Sequence, residues 1–173
     1  MRERTGLVIV NTGNGKGKST AALGLAMRAV GNGMKVVMIQ FIKGAWKVGE
    51  YESAKKLDFE IRPMGEGFTW VTKDRERDTK VAQEAWEYAK ARIASGEYDL
   101  VILDEINYAL DYGYVDLAEV LRALKERPRH VHVVLTGRKA KPEVIEAADL
   151  ATEMVEIKHP YKKGIKAQRG IEF

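Results

Sequence analysis

The sequence feature that most constrains the fold is a glycine-rich loop at residues 12–20, TGNGKGKST, which joins a predicted strand to a predicted helix. The strand is the run GLVIVN at residues 6–11, and residues 18–30 place apolar side chains at helical spacing. In this context a glycine-rich loop can wrap its backbone N–H groups around phosphates at the helix N-terminus. The sequence therefore predicts a nucleotide-binding α/β protein whose phosphate-binding loop is residues 12–20.

The phosphate-binding loop departs at one position from the general pattern G-x-x-x-x-G-K-[ST]. The first glycine of the pattern would fall on Thr12, and Gly13 follows one place later. Lys18 and Ser19 take the places of the phosphate-binding lysine and of the hydroxyl that ligates Mg²⁺. A glycine-rich turn that binds no nucleotide is the alternative, and the flanking strand and helix argue against it. The predicted nucleotide-binding residues of the loop are Gly13, Asn14, Gly15, Lys16, Gly17, Lys18, Ser19 and Thr20.

Segments typical of strands and helices alternate along the rest of the chain. Further strands are predicted at residues 35–42, 58–62, 99–103, 131–136 and 154–157, with helices at 51–57, before Gly96, at 116–126 and from Pro142. This alternation predicts a doubly wound α/β fold, with a mostly parallel sheet of about six strands and helices on both faces. The chain has 173 residues, 45% of them hydrophobic, and no linker-like segment, so a single domain over residues 1–173 is expected.

Two adjacent carboxylates, Asp104 and Glu105, come directly after the apolar strand at residues 99–103. A parallel sheet brings the carboxyl ends of its strands to one edge, so this pair is expected near the phosphate-binding loop. Mg²⁺ prefers oxygen ligands and usually takes one or two from the protein. An acidic pair in this position can also cap a helix. Beside Lys18 and Ser19, the pattern favours the metal site.

Composition narrows the range of functions. The 29 Lys and Arg residues against 25 Asp and Glu give a net charge of +4, too mild to indicate a nucleic-acid-binding protein. The segment 158–173 is more basic, and either approaches a polyanion or is a solvated extension. The lack of cysteine excludes disulfides and thiolate metal sites. No apolar run approaches the ~20 residues of a membrane span, and no secretory signal is evident, so a cytoplasmic location without a membrane partner is expected.

Several segments together are more specific than the phosphate-binding loop alone. They are TGNGKGKST at 12–20, RAVGNGMKV at 28–36, GEGFTW at 65–70, LDEINYAL at 103–110, LTGR at 135–138 and KKGIKAQRGIEF at 162–173. With these segments the sequence resembles the ATP:corrinoid adenosyltransferases of the type with a RecA-like P-loop NTPase fold. The resemblance covers almost the whole chain.

The resemblance implies transfer of the 5′-deoxyadenosyl group of ATP to the Co(I) of a reduced corrinoid, with release of triphosphate, in cobalamin biosynthesis or salvage. The corrinoid is either a precursor such as cob(I)yrinic acid a,c-diamide or finished cobalamin. In the family, ATP lies in the P-loop in the reverse of the usual direction, which exposes the ribose C5′ to cobalt. Because Co(I) is itself the nucleophile, no general base is needed. The protein must orient C5′ and neutralise charge on the departing triphosphate, for which Lys16, Lys18, the loop amides and Mg²⁺ are suited.

The resemblance also implies roles at the metal site. Ser19 matches the hydroxyl that ligates Mg²⁺, and Glu105 matches the acidic metal ligand, with Asp104 adjacent in support. Lys18 and Glu105 are therefore the expected catalytic residues.

The corrinoid site is implied by the aromatic pair Phe68 and Trp70. These residues match the family's wedge on the lower face of the corrin, which excludes the lower axial ligand and leaves four-coordinate Co(II). Without the resemblance, two such aromatics would be interpreted as packing residues. A homodimer and an electron-donating flavoprotein partner are also implied.

Two other functions use the same residues. In a RecA-like ATP-hydrolysing motor, Glu105 would activate water and Arg138 would complete the site, with ADP and phosphate as products. The FTW element and the lack of added nucleic-acid-binding domains argue against the motor, and no nucleic-acid partner is expected. A non-catalytic protein that binds nucleotide or corrinoid would carry the same binding residues.

Overall fold

The computed structural model describes residues 5–44, 48–67 and 74–172 of the chain. Their core is a sheet of six strands. The strands are β1 (Val8–Thr12), β2 (Val36–Gln40), β3 (Glu60–Pro63), β4 (Leu100–Asp104), β5 (His132–Thr136) and β6 (Leu150–Glu153).

Six α-helices connect these strands within the described ranges. They are α1 (Lys18–Gly31), α2 (Gly49–Leu57), α3 (Arg75–Ser95), α4 (Ile106–Asp111), α5 (Leu117–Glu126) and α6 (Pro142–Glu146), and a 3₁₀ helix follows at Pro160–Lys163. Their ends match the local sequence signals. The Asp116 side chain caps α5, Pro142 opens α6, and Gly96 ends α3 in the left-handed conformation. None of the helices in this part of the chain is long and apolar enough to span a membrane.

All six strands are parallel, in the order β3-β2-β4-β5-β1-β6. Strands β1, β2 and β4 are buried along their whole length, as expected for strands covered on both faces. The predicted doubly wound, parallel fold is therefore confirmed.

The two faces of the sheet carry separate apolar clusters, because successive side chains of a strand point to opposite faces. On one face, Val8 and Val10 of β1 pack with α3 residues such as Trp86. On the other face, Ile9 packs with α1 residues such as Ala26. Helices therefore cover both sides, as the sequence predicts.

Strand order determines which side chains meet at the carboxyl edge of the sheet. Strand β5 lies between β1 and β4, with Asn11 opposite Thr136 in the register. On the other side of β4, Asp104 lies opposite Gln40 of β2. The ends of β1, β5, β4 and β2 thus lie side by side, and the phosphate-binding loop leaves from this edge.

The last strand is not where the sequence predicts it. The prediction of residues 154–157 is wrong, because β6 is Leu150–Glu153, paired with β1 from Ile9 to Thr12. This edge strand is exposed along its length and has no continuous apolar run, so its position is determined by pairing with β1. Helix α4 was also not predicted from the sequence.

Candidate active site

The phosphate-binding loop begins with a close contact to the end of β6. Gly13 has a φ of +93°, and a Cβ there would lie 2.5 Å from the carbonyl oxygen of Met154. The Gly15 N–H donates to the same oxygen at 2.6 Å. Thr12 accepts a hydrogen bond from the Ala140 N–H through its hydroxyl, at 3.1 Å. Glycine is therefore required at position 13, one place after the first glycine of the general pattern.

Helix α1 begins at Lys18, within the phosphate-binding segment 12–20, and its first turn is open. Gly17 is its N-cap residue, in the left-handed conformation, and no side chain caps the first N–H groups. No acidic residue lies in the first turn. The positive end of the helix and its free N–H groups therefore face the loop, an arrangement that binds anions.

Lys18 is 8% exposed, and its Nζ donates to the Gly15 carbonyl oxygen at 2.6 Å. Burial lowers the pKa of Lys18; the charge of Glu105 opposes this effect, and those of Arg138 and Lys16 reinforce it. The Lys18 ammonium is thus held in the loop, where the nearby negative charge does not balance its own charge and its burial. A bound phosphate would supply that negative charge.

Lys16 lies at the exposed tip of the loop and pairs with Glu172 of the C-terminal segment. From its charge, the sequence predicted this segment either to approach a polyanion or to be a solvated extension. In the structure, its one acidic residue contacts the phosphate-binding loop. Asn14 and Thr20 are also exposed, so the loop is accessible to a ligand.

The hydroxyl of Ser19 faces the carboxylate of Asp104. Ser19 Oγ donates to Asp104 Oδ1 at 2.6 Å, and Thr136 Oγ1 donates to the same oxygen at 2.8 Å. Gln40 Nε2 donates to Asp104 Oδ2 at 3.3 Å. Asp104 is fully buried and is therefore held in place by groups from α1, β5 and β2.

Glu105 follows in the left-handed conformation, with φ +65°, and its N–H donates to Thr136 Oγ1 at 2.9 Å. It is the N-cap residue of α4, but its side chain makes no capping hydrogen bond. Its buried Oε2 has no hydrogen-bond partner within the described ranges. Burial, with the charge of Asp104, raises the pKa of Glu105 to about 7, while Lys18, Lys43 and Arg138 oppose the rise. This carboxylate is available for a ligand.

We expect the nucleotide-free Glu105→Gln variant to become more stable relative to wild type as the pH rises. Between pH 5 and pH 8, the difference in free energy of unfolding, variant minus wild type, should increase by on the order of 2 kcal/mol. In the unfolded chain the carboxyl ionises near pKa 4.5, whereas in the fold its pKa is about 7. Wild-type stability therefore falls as the pH rises through this interval, because folding retains a proton that the unfolded chain releases. Glutamine does not ionise and escapes this loss.

Urea unfolding at the two pH values measures this effect. The exposed Glu126 on α5 provides the control, since Glu126→Gln removes one carboxyl outside the site. Equal stability differences at pH 5 and pH 8 for Glu105→Gln would contradict the expectation.

Lys43 is a site residue that sequence reasoning missed. It follows β2, and its Nζ lies 3.0 Å from Glu50 Oε1 and 3.9 Å from Asp104 Oδ2. Burial alone would lower the pKa of Lys43, but the charges of Asp104 and Glu50 outweigh it and the pKa is raised. The available signal was a lysine directly after a buried strand at the carboxyl edge of the sheet.

An open cavity of about 570 Å³ adjoins the phosphate-binding loop, a size typical of ligand pockets. Its lining includes Ser19, Thr20, Lys43, Glu50 and Glu172. A larger cavity of about 980 Å³ lies against α2 and β3 and includes no loop residue. The predicted corrinoid residues Phe68 and Trp70 lie outside the described residues.

The sequence model of the family "ATP:corrinoid adenosyltransferase BtuR/CobO/CobP" matches residues 4–173. The corrinoid adenosyltransferase of Sinorhizobium sp. is 54% identical, over 99% of this chain and 82% of its own length. That of Pseudomonas aeruginosa is 50% identical, over 99% and 86%. That of Escherichia coli (strain K12) is 45% identical, over 99% and 88%.

Among solved structures, the RadB recombinase superposes with a TM-score of 0.51 at 15% identity, over 91% of this chain and 78% of RadB. This likeness concerns the fold alone and agrees with the RecA-like prediction. Both the sequence motifs and the matches over nearly the full length lead to one assignment: the chain belongs to the ATP:corrinoid adenosyltransferase family.

Proposed function

We propose that this enzyme transfers the 5′-deoxyadenosyl group of ATP to the Co(I) of a reduced corrinoid and releases inorganic triphosphate. Membership of the family supports the reaction. The observation that carries the proposal is the meeting of the phosphate-binding loop with two carboxylates, where Ser19 donates to Asp104 beside Glu105. This edge of the sheet offers cations and N–H groups for a triphosphate together with oxygen ligands for a divalent cation.

The reaction needs charge stabilisation and orientation more than proton transfer. The electron pair of Co(I) forms the cobalt–carbon bond, the bond from C5′ to the phosphate oxygen breaks, and the leaving oxygen keeps its electron pair. Lys18, Lys16 and the N–H groups of the loop and of α1 stabilise the negative charge of the triphosphate. Glu172 must give up Lys16 for that lysine to take part.

The oxygen groups at the site fit Mg²⁺. The donor set comprises the hydroxyl of Ser19, the carboxylate of Asp104 and Oε2 of Glu105, which has no hydrogen-bond partner among the described residues. Mg²⁺ prefers oxygen ligands of these kinds. We propose Ser19 and Glu105 as ligands, direct or through water, with Asp104 in support. Bound there, Mg²⁺ would supply positive charge to the triphosphate.

The remaining features of the proposal rest on the family resemblance. Phe68 and Trp70 are proposed to cover the lower face of the corrin. A cytoplasmic homodimer that receives electrons from a flavoprotein is proposed with them. The corrinoid is a precursor or finished cobalamin.

The products of the reaction test the proposed function. Incubation with ATP, Mg²⁺ and chemically reduced corrinoid is expected to give the visible spectrum of a cobalt–carbon bond and one triphosphate per corrinoid adenosylated. Omission of ATP or of the reductant should abolish both signals. Release of ADP and phosphate without a cobalt–carbon bond would favour the motor, and binding of both substrates without product would favour a non-catalytic protein.

A further inference from the structure

The turn after β5 lies between the end of β1, which leads into the phosphate-binding loop, and the end of β4, which carries the two carboxylates. The Gly137 N–H donates to the Asn11 carbonyl at 3.2 Å, and Asn107 Nδ2 donates to the Gly137 carbonyl at 3.1 Å. Gly137 has a φ of +126°, and a Cβ there would lie 2.9 Å from Asn107 Cβ and 3.1 Å from Glu105 Oε2. The backbone at this turn therefore has one position, directly beside the site.

The residues after the turn are held as well. Lys139 and Lys141 both bind Asp111 at the end of α4, at 3.1 and 3.3 Å. The Ala140 N–H donates to Thr12 at the start of the phosphate-binding loop. Arg138 lies between these fixed points, so its Cα is fixed relative to both the loop and Glu105.

Arg138 itself is exposed, and its guanidinium has no hydrogen bond or ion pair with any residue that the structure describes. Its charge nevertheless reaches the site. It is among the charges that act on Lys18, Glu105 and Tyr108. It also acts on Glu156, whose carboxylate is already bound by Lys162 at 2.5 Å.

Unlike Arg138, the three lysines of the site each already have a polar partner among the described residues. Lys16 is paired with Glu172, and Lys43 with Glu50. Lys18 donates to a carbonyl oxygen of its own loop. Each of these lysines must exchange or share a partner to meet a phosphate, whereas Arg138 has no partner to give up among residues 5–44, 48–67 and 74–172.

We propose that Arg138 binds the triphosphate of ATP and is a catalytic residue for adenosyl transfer, in addition to Lys18. This inference rests on the proposed function. When the bond from C5′ to oxygen breaks, its electron pair stays on the triphosphate, and a guanidinium in contact with that group stabilises the added charge. A planar guanidinium can hold two phosphate oxygens at once, which a lysine ammonium does not match.

Three variants separate this role from a general charge effect. Arg138→Gln removes the charge, Arg138→Lys keeps it without the planar fork, and Arg122→Gln removes one arginine charge from the exposed face of α5. Affinity for inorganic triphosphate with Mg²⁺ is measured calorimetrically in the absence of corrinoid. Adenosylation is measured separately, and thermal unfolding without nucleotide checks the fold.

Arg138→Gln is expected to weaken triphosphate binding and to lower kcat/KM by about 10- to 100-fold, the scale of one charge-assisted contact. Arg138→Lys should recover part of both losses, and added guanidinium ion should partly restore turnover by Arg138→Gln. Arg122→Gln should behave as wild type.

The proposal is overturned if Arg138→Gln binds triphosphate and turns over like wild type. It is also overturned if Arg122→Gln loses as much triphosphate affinity and turnover as Arg138→Gln. If Arg138→Gln fails to fold, Arg138→Lys is compared with wild type instead. Equal triphosphate affinity and turnover would then overturn the proposal. If triphosphate binding depends on Arg138 but no cobalt–carbon bond forms with any variant or with wild type, the proposed function and the catalytic role fail, and triphosphate binding by Arg138 stands.

Discussion

The Lys18→Ala variant is expected to bind ATP at least about 100-fold more weakly than wild type and to lose nearly all adenosylation. The ammonium is almost fully buried in the loop, where burial lowers its pKa, and the phosphates of ATP are its natural counter-charge. Removing it takes one cation and its hydrogen bonds from the bound triphosphate. Calorimetric titration with ATP and Mg²⁺, beside the spectroscopic assay, measures both losses.

The fold should survive this change, because the apolar clusters lie on the faces of the sheet and Lys18 belongs to neither. The midpoint temperature of thermal unfolding of nucleotide-free Lys18→Ala is expected to equal or exceed that of wild type. Lys125→Ala, at an exposed lysine in the last turn of α5, is the matched control. Near-normal ATP affinity in Lys18→Ala would refute the assignment of the phosphate-binding loop.

The second large effect is expected for Asp104→Asn. This nearly isosteric change removes the charge of a fully buried carboxylate that accepts hydrogen bonds from Ser19, Thr136 and Gln40. The amide nitrogen that replaces one carboxylate oxygen cannot accept the hydrogen bonds made to that oxygen, and Lys43 loses part of its counter-charge. We expect about 2–3 kcal/mol of destabilisation and a fall in adenosylation of at least about 100-fold at low Mg²⁺.

The metal dependence distinguishes loss of a cation site from loss of structure. A titration with Mg²⁺ should show a higher half-saturating concentration for Asp104→Asn, and high Mg²⁺ should restore part of the activity. Asp58→Asn is the matched control, at an exposed residue whose left-handed conformation asparagine tolerates. An unchanged Mg²⁺ requirement in a folded Asp104→Asn protein would show that Asp104 serves the fold alone.

The central part of the fold follows from local patterns. Strands β1, β2 and β4 are apolar runs bounded by turn residues, and their full burial matches that pattern. Strand β6 was misplaced because an edge strand needs no apolar run, and the segment after Glu153 is more apolar than the strand itself. Its true position depends on the register with β1, which is a contact distant in sequence.

The candidate site divides in the same way. The loop could be identified because phosphate binding depends on a contiguous stretch of glycines, Lys18 and Ser19. Lys43 has no comparable local signature, and the sequence singled out Arg138 only within the segment LTGR and for the alternative ATP-hydrolysing function. Their place at the site follows from β2 and β5 flanking β4 in the sheet, an order that short-range periodicity does not encode.

The sequence by itself determined the family, the fold class and the phosphate-binding loop, because each depends on residue types at fixed short spacing. Only the tertiary structure decided that Ser19 faces Asp104, that burial raises the pKa of Glu105, and that Glu172 forms an ion pair with Lys16. These three properties arise from groups distant in sequence, which sheet order and packing bring together. Desolvation and charge pairing are therefore set by the folded chain and not by any local stretch of it.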